Sequence, residues 1–204
     1  MPSQEKKAGP HLQAKAPPRD RATETHERIL DAAEEIVIAH GGGELTLEAA
    51  ARAAGLSKGG VLYHFPTKVA LIQAMLTRLI TRFEADIQNI TEKEGAPEEV
   101  FLTAYVQATF RTGERDKRMG AALLAVLAED PELLKPLRAF YQQRFEALRS
   151  PCVRFDRAAM VMLAVEGLFM LELLSLSFLS ASEREKLERA LLTVAIGSQA
   201  ENDV

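Results

Sequence analysis

A chain of 204 residues, 47% hydrophobic and 26% charged, is long enough for one or two domains around a substantial core and has the ordinary make-up of a globular protein. The single cysteine, Cys152, excludes an intramolecular disulfide framework and a multi-cysteine zinc site; it fits a reducing cytoplasm and reads as a small apolar residue in the connection after Pro151. The net charge of −4 excludes a uniformly basic, nucleic-acid-coating protein, so any nucleic-acid function has to rest on local charge.

Residues 1–22 lack apolar periodicity and read as a disordered arm; Lys6, Lys7, Lys15, Arg19 and Arg21 against Glu5 and Asp20 make it basic, and it has no apolar core of a signal peptide. From there every segment has helical and none has strand periodicity, so the fold class is all-α, with about nine helices. The first helix is expected over Thr23–His40, with Ile29, Leu30, Ala33, Ile36 and Val37 as its apolar stripe, ended by Gly41, Gly42 and Gly43. Thr46 caps a second helix, Leu47–Ala54, which Gly55 breaks. Ser57 caps a short third helix ending near Phe65, and Thr67 caps a long fourth whose core face is Leu71, Met75, Leu79, Phe83 and Ile87.

After the breaker at residues 94–97, helices are expected over Pro97–Thr112 and Arg115–Ala128. Asp130 and Pro131 then open a helix reaching Arg149, with a kink at Pro136. Residues 155–179 are nearly all apolar. A membrane span is excluded by Glu166 and Glu172, each costing about 3 kcal/mol at a bilayer centre, so this helix is expected to be buried between other helices or between subunits. Ser182 to Glu185 has the S-x-x-E form of a capping box, and Leu187, Leu191, Val194 and Ile196 give the last helix an apolar side.

The stretch that carries chemistry is TLEAAARAAGLSKGGVLYHFPTK, Thr46 to Lys68, a helix, a glycine-led turn and a helix. Ala49, Ala50 and Ala53 are small enough for a close helix crossing, Gly55 supplies the turn, and Leu56 and Val61 pin the pair. In this layout the second helix offers its N-terminal residues to the major groove. Here those are Ser57, Lys58, Gly59 and Gly60. Two glycines in so short a helix cost about 1 kcal/mol each against alanine, which serves close approach to a nucleic acid rather than the helix itself. Tyr63, His64 and Lys68 are donors suited to phosphates.

With these residues in view, Thr23–Phe83 resembles the DNA-binding domain of the TetR (tetracycline-repressor) family, through ERILDAA at Glu27–Ala33, Thr46 opening the second helix, ARAAGLSKG at Ala51–Gly59 and YHFPTK at Tyr63–Lys68. The resemblance implies an arm (1–22), a helix-turn-helix domain (23–83, motif about 46–65) and a C-terminal regulatory and dimerisation domain (84–204). It places DNA contacts at Thr46, Ser57, Lys58, Gly59, Gly60, Tyr63, His64 and Lys68. Leu62 departs from the aromatic common at that position, and Gly60 from a base-reading side chain, so direct readout falls largely on Lys58. From Thr23 to Ala70 the acids outnumber the bases by three; the acids of the first helix can face away from DNA, and the basic arm offsets them.

Residues 84–204 contain no histidine, nucleophile elbow or phosphate loop, so no enzyme activity, cofactor or metal is expected. The resemblance implies dimerisation through the last two helices and a pocket among the middle ones. The pocket candidates are Phe101, Tyr105, Leu123, Phe140, Met162, Phe169 and Met170, with Glu166 as the isolated polar group. A carboxylate on a buried helix needs a partner: Arg138 or Arg144, a group across the dimer, or a cationic ligand. The expected function is a cytoplasmic repressor that binds palindromic double-stranded operator DNA as a homodimer and is released by a small apolar effector. The alternatives are an activator or ligand-independent regulator and, from another class, a helical protein-interaction module with a vestigial helix-turn-helix.

Overall fold

The computed structural model describes residues 21–94, 97–127, 130–147 and 154–197. Within them the chain is helical with no strand: α1 (Arg21–His40), α2 (Leu47–Ala53), α3 (Lys58–His64), α4 (Lys68–Glu94), α5 (Pro97–Arg111), α6 (Glu114–Leu127), α7 (Lys135–Ala147), α8 (Phe155–Leu173) and α9 (Ala181–Ile196), with short 3₁₀ turns at Gly42–Glu44 and Pro131–Leu134. Residues 1–20 of the expected arm, and Cys152, lie outside the described residues. Arg21 and Ala22, assigned to the arm from sequence, belong to α1; the Thr25 hydroxyl donates to the Arg21 carbonyl at 2.8 Å.

Two cores form. The first joins α1–α3 and the start of α4 to α6, so that Met119, Leu123 and Leu127 pack with Ile29, Val37, Val61 and Leu71. The second joins the end of α4 (Ile87, Ile90) to α5, α7, α8 and α9. α4 runs unbroken through both. The most enclosed helix is α5, with Leu102 to Val106 and Ala108 to Phe110 all buried. Its two buried threonines return their hydroxyl protons to the helix, Thr103 to the Val100 carbonyl at 2.8 Å and Thr109 to that of Tyr105 at 3.0 Å.

Three expectations are corrected. The segment opening at Pro131 is not one kinked helix but a 3₁₀ turn followed by α7. Pro136 has no N–H for the Glu132 carbonyl, which instead accepts from the Lys135 backbone and, at 2.9 Å, from Gln73 Nε2. The apolar helix ends at Leu173, well short of residue 179: Ser175 adopts φ 57°, and the Leu176 N–H donates to the Leu171 carbonyl at 2.7 Å, a left-handed stop built on serine rather than glycine. The capping box of α9 starts earlier than expected, with Ser180 rather than Ser182 as N-cap and Glu183 answering it; the S-x-x-E pattern occurs in both registers.

α8 is two-sided rather than enclosed by protein all round. Ala158, Val161, Met162, Val165 and Leu168 are buried, while Met160 (61% exposed), Leu163 (63%) and Met170 (40%) lie open along the opposite side. Glu172 is held by Arg184 Nε at 2.6 Å and Lys117 Nζ at 2.7 Å. Burial pushes its carboxyl up, but these two cations outweigh burial and hold it below the usual glutamate range. Among the described residues no helix is long and apolar enough to cross a membrane.

Candidate nucleic-acid interface and ligand cavity

α2 and α3 cross where Ala50, Ala51 and Val61 are buried; Ala51, not the exposed Ala53, is the close-packing residue. Gly55 takes φ 63°, which lets the Leu56 N–H close the turn onto the Ala51 carbonyl at 2.9 Å. Each helix start has a hydroxyl cap: Thr46 accepts from the Ala49 N–H (3.0 Å), Ser57 from that of Gly60 (3.1 Å) and Thr67 from that of Ala70 (3.0 Å). A hydroxyl that accepts in a cap keeps its own proton, so each of the three can still donate one hydrogen bond.

Ser57, Lys58 and Gly59 are exposed, Gly60 is half-buried and Tyr63 is 82% exposed. A Cβ added at Gly59 meets nothing nearer than Ser57 Oγ at 4.0 Å, and at Gly60 nothing nearer than the same atom at 3.4 Å. Neither glycine has the positive backbone angle that requires one, so the fold itself accepts alanine at both. His64 is half-buried, edge-on to Tyr63 and His26 at ring separations of 5.2 and 6.1 Å. Lys68 turns inward: its ammonium donates to the Gly42 carbonyl at 3.3 Å.

Lys58 is also engaged, with its Nζ 2.5 Å from Glu48 Oε1, and this hydrogen bond holds the Glu48 carboxyl below the usual glutamate range. Glu48→Gln is therefore expected to free the lysine and remove an acid beside it. DNA affinity at low salt should rise severalfold, and the slope of log affinity against log salt should steepen by up to about one unit, as for one added phosphate contact. An unchanged slope in a salt titration would show that the freed Lys58 brings no added charge to the DNA.

Acids of α1 are paired where that helix meets α4 and α6. Glu34, with its side chain only 2% exposed, lies 3.2 Å from Arg82, 3.4 Å from Arg78 and 3.5 Å from Arg115. Arg78 also meets Asp31 at 2.5 Å and Glu27 at 3.4 Å, and Arg115 meets Glu35 at 2.7 Å. These acids of α1 are thus paired with cations of α4 and α6.

In the C-terminal region a cavity of about 130 Å³ lies among α4 (Leu79, Ile80, Phe83), α5 (Tyr105, Thr109), the start of α6 (Asp116), α7 (Leu137, Phe140, Tyr141) and α8 (Glu166, Phe169). Of the candidates named from sequence, Tyr105, Phe140, Glu166 and Phe169 line it. Phe101, Leu123, Met162 and Met170 do not: Leu123 belongs to the first core, Met162 is fully enclosed by the second, Met170 faces outward and Phe101 stacks under Arg144. Sequence reasoning missed Tyr141 and Phe83, which sat in stripes read as plain core.

Glu166 does not pair with an arginine. Tyr105 donates to one of its oxygens and Tyr141 to the other, the latter at 2.7 Å. Burial first, then the Glu166 charge and its hydrogen bonds, push both phenols far above the usual tyrosine range, so both stay protonated donors. Arg144 instead meets Glu84 at 3.2 Å and lies over the rings of Phe140 (4.9 Å) and Phe101 (5.2 Å).

A helix-turn-helix on a small helical head, continued into a larger helical body with an internal cavity, is the architecture of a helix-turn-helix transcriptional regulator. Residues 29–75 match the bacterial regulatory proteins of the tetR family, and residues 99–195 match the tetracyclin repressor-like C-terminal domain. The chain belongs to the tetR family. Over 55 residues it is 46% identical to each of two proteins of Pseudomonas putida, the HTH-type transcriptional regulator SrpR and the uncharacterized HTH-type transcriptional regulator TtgW. That stretch is 27% of this chain, 26% of SrpR and 41% of TtgW. In fold it is similar to a putative TetR-family regulator from Rhodococcus sp. (TM-score 0.67, 20% identity, 85% of this chain and 100% of that one). It is also similar to NalD of Pseudomonas aeruginosa, the secondary repressor of the MexAB-OprM multidrug efflux pump (TM-score 0.64, 23% identity, 84% of this chain and 94% of that one).

Proposed function

We propose that the protein is a homodimeric repressor that grips a near-palindromic operator with two copies of α3 and lets go when a small molecule occupies the α4–α8 cavity. The observation that carries the DNA reading is the pair of glycines at 59 and 60: they weaken α3, the fold has room for a side chain at both, and they sit between the Ser57 cap and the exposed Tyr63. Backbone brought close to a groove explains this pattern, and packing does not. In this reading Ser57, Lys58, Gly59 and Gly60 approach base edges, while Thr46, Tyr63 and His64 position the head on phosphates. Lys68 serves first as the tie between the start of α4 and the Gly42 turn. Repression is supported by the likeness to NalD, itself a repressor.

Dimerisation is supported by the open stripe on α8, where Met160, Leu163 and Met170 are exposed and Gly167 has no atom within 4 Å of an added Cβ, leaving room for a partner helix. Val194 (44% exposed) and Ile196 (71%) extend the apolar surface onto α9.

The test begins with selection of a binding site from random duplex DNA. A two-fold protein should enrich an inverted repeat. Gly60→Ala should then raise thermal stability by a few tenths to about 1 kcal/mol while weakening the selected site about tenfold or more. Equal DNA affinity of the variant would remove the close-approach reading, and failure to enrich any site would favour the protein-interaction module.

A further inference from the structure

The cavity has carboxylates and no base in its lining: Glu166, Asp86 and Asp116. Asp116 is met by Arg82 at 3.5 Å. Glu166 is in a different position. Among the described residues no lysine, arginine or histidine pairs with it, and both of its oxygens are met by neutral phenols. A phenol satisfies a hydrogen bond but supplies no counter-charge, so the protein gives this carboxylate two donors and no paired cation. Around it the aromatic rings pack edge to face: Phe83 on Tyr105 at 5.5 Å, Phe83 on Phe140 at 6.2 Å and Phe140 on Tyr141 at 5.3 Å. Aromatic faces are themselves negative and attract cations; Arg144 already lies over Phe140 at 4.9 Å, which leaves the rings of Phe83, Tyr105 and Tyr141.

We infer that the cavity is a receptor for a small organic cation, a protonated or quaternary amine on a hydrophobic body, whose charge is met by Glu166 and the surrounding rings. This rests on the cavity being the effector site, and it replaces the apolar effector expected from sequence with a charged one. The size limits the guest: an apolar cavity of about 150 Å³ takes benzene, so about 130 Å³ takes a body no larger than one six-membered ring. An anion would face Glu166, Asp86 and Asp116 together. A neutral body of the same shape would fill the space and add nothing to the two phenols that already meet Glu166.

The experiment is calorimetric titration of the full chain, without DNA, with three probes: piperidinium, its neutral isostere cyclohexane, and trimethylacetate. The cation should bind at least about tenfold more tightly than either of the others. Glu166→Gln keeps an oxygen to accept from a tyrosine and removes the charge; it should bring the cation to within about threefold of the isostere, with thermal stability near that of the parent. Tyr141→Phe removes one donor and leaves the charge, so the cation should stay within about threefold of the parent affinity. The inference is overturned if the isostere or trimethylacetate matches the cation, if the cation does not bind at millimolar concentration, if Glu166→Gln changes nothing, or if Tyr141→Phe loses as much as Glu166→Gln. DNA binding by the same preparation is measured separately: its failure counts against the regulator reading and leaves the cavity's ligand class as titrated.

Discussion

Leu163→Glu is expected to turn the protein into a monomer and to weaken the operator complex by roughly 10²–10⁴-fold. The residue is 63% exposed in the single chain and lies at the middle of the α8 stripe with Met160 and Met170, so in a two-fold pairing of α8 and α9 the introduced carboxylates face the partner across a desolvated contact. The loss on DNA follows from avidity. Two joined heads bind the second half-site at the effective concentration set by their linkage, and separate heads forfeit that factor of roughly 10²–10⁴. Because the wild-type side chain is open, the fold of one chain should be little affected, by less than about 0.5 kcal/mol. Sedimentation at micromolar concentration checks the first outcome and an operator titration the second. A dimer with parent affinity would move the interface off α8.

Glu34→Ala should cost about 3 kcal/mol of stability and lower the melting temperature by roughly 6–12 °C. Its carboxylate is buried among the guanidinium groups of Arg78, Arg82 and Arg115, and its loss leaves them facing one another across the α1–α4–α6 junction. The figure is at the low end for breaking a buried pair, because Arg82 and Arg115 are open enough to recruit water and retain Asp116 and Glu35. Arg78 is the more affected by the change: its side chain is only 20% accessible, and its Nη1 lies within ion-pairing distance of Glu34 but out of line for a hydrogen bond. Glu34→Gln, which keeps the volume and one acceptor, should cost about half as much. A melting point within about 2 °C of the parent for Glu34→Ala would show that these charges stabilise nothing net.

Legibility of the sequence depended on whether a signal was local. Thr46, Ser57 and Thr67 cap from their own third-residue N–H groups, and Gly55 makes its turn by its own backbone angle, so these ends were readable one residue at a time. The end of α8 was not, because Ser175 takes a left-handed conformation that composition assigns to glycine. The cap of α9 was ambiguous, because two overlapping S-x-x-E registers compete and only the chain's path chooses Ser180. The protein partners of Glu166 were not legible for a further reason: arginine, a group across the dimer and a cationic ligand all suit a carboxylate by charge, while Tyr105 and Tyr141 reach it from sequence positions whose aromatic periodicity says only that they are inward-facing.

By itself the sequence determined the all-helical class, the helix-turn-helix with its caps and glycine turn, the family, and the presence of a carboxylate on an apolar helix in need of a partner. Each follows from spacing along one or two helices. Only the tertiary structure decided which apolar residues share a core and which surround a space, because that depends on how helices distant in the chain cross. Leu123 went to the head's core, α5 rather than α8 became the enclosed helix, and Lys68 turned to Gly42. The same crossings set the arginines of α4 and α6 against the acids of α1, leaving Glu166 with neutral partners beside a cavity: charge pairing is a matter of which faces meet, and periodicity along one helix carries no record of the face opposite.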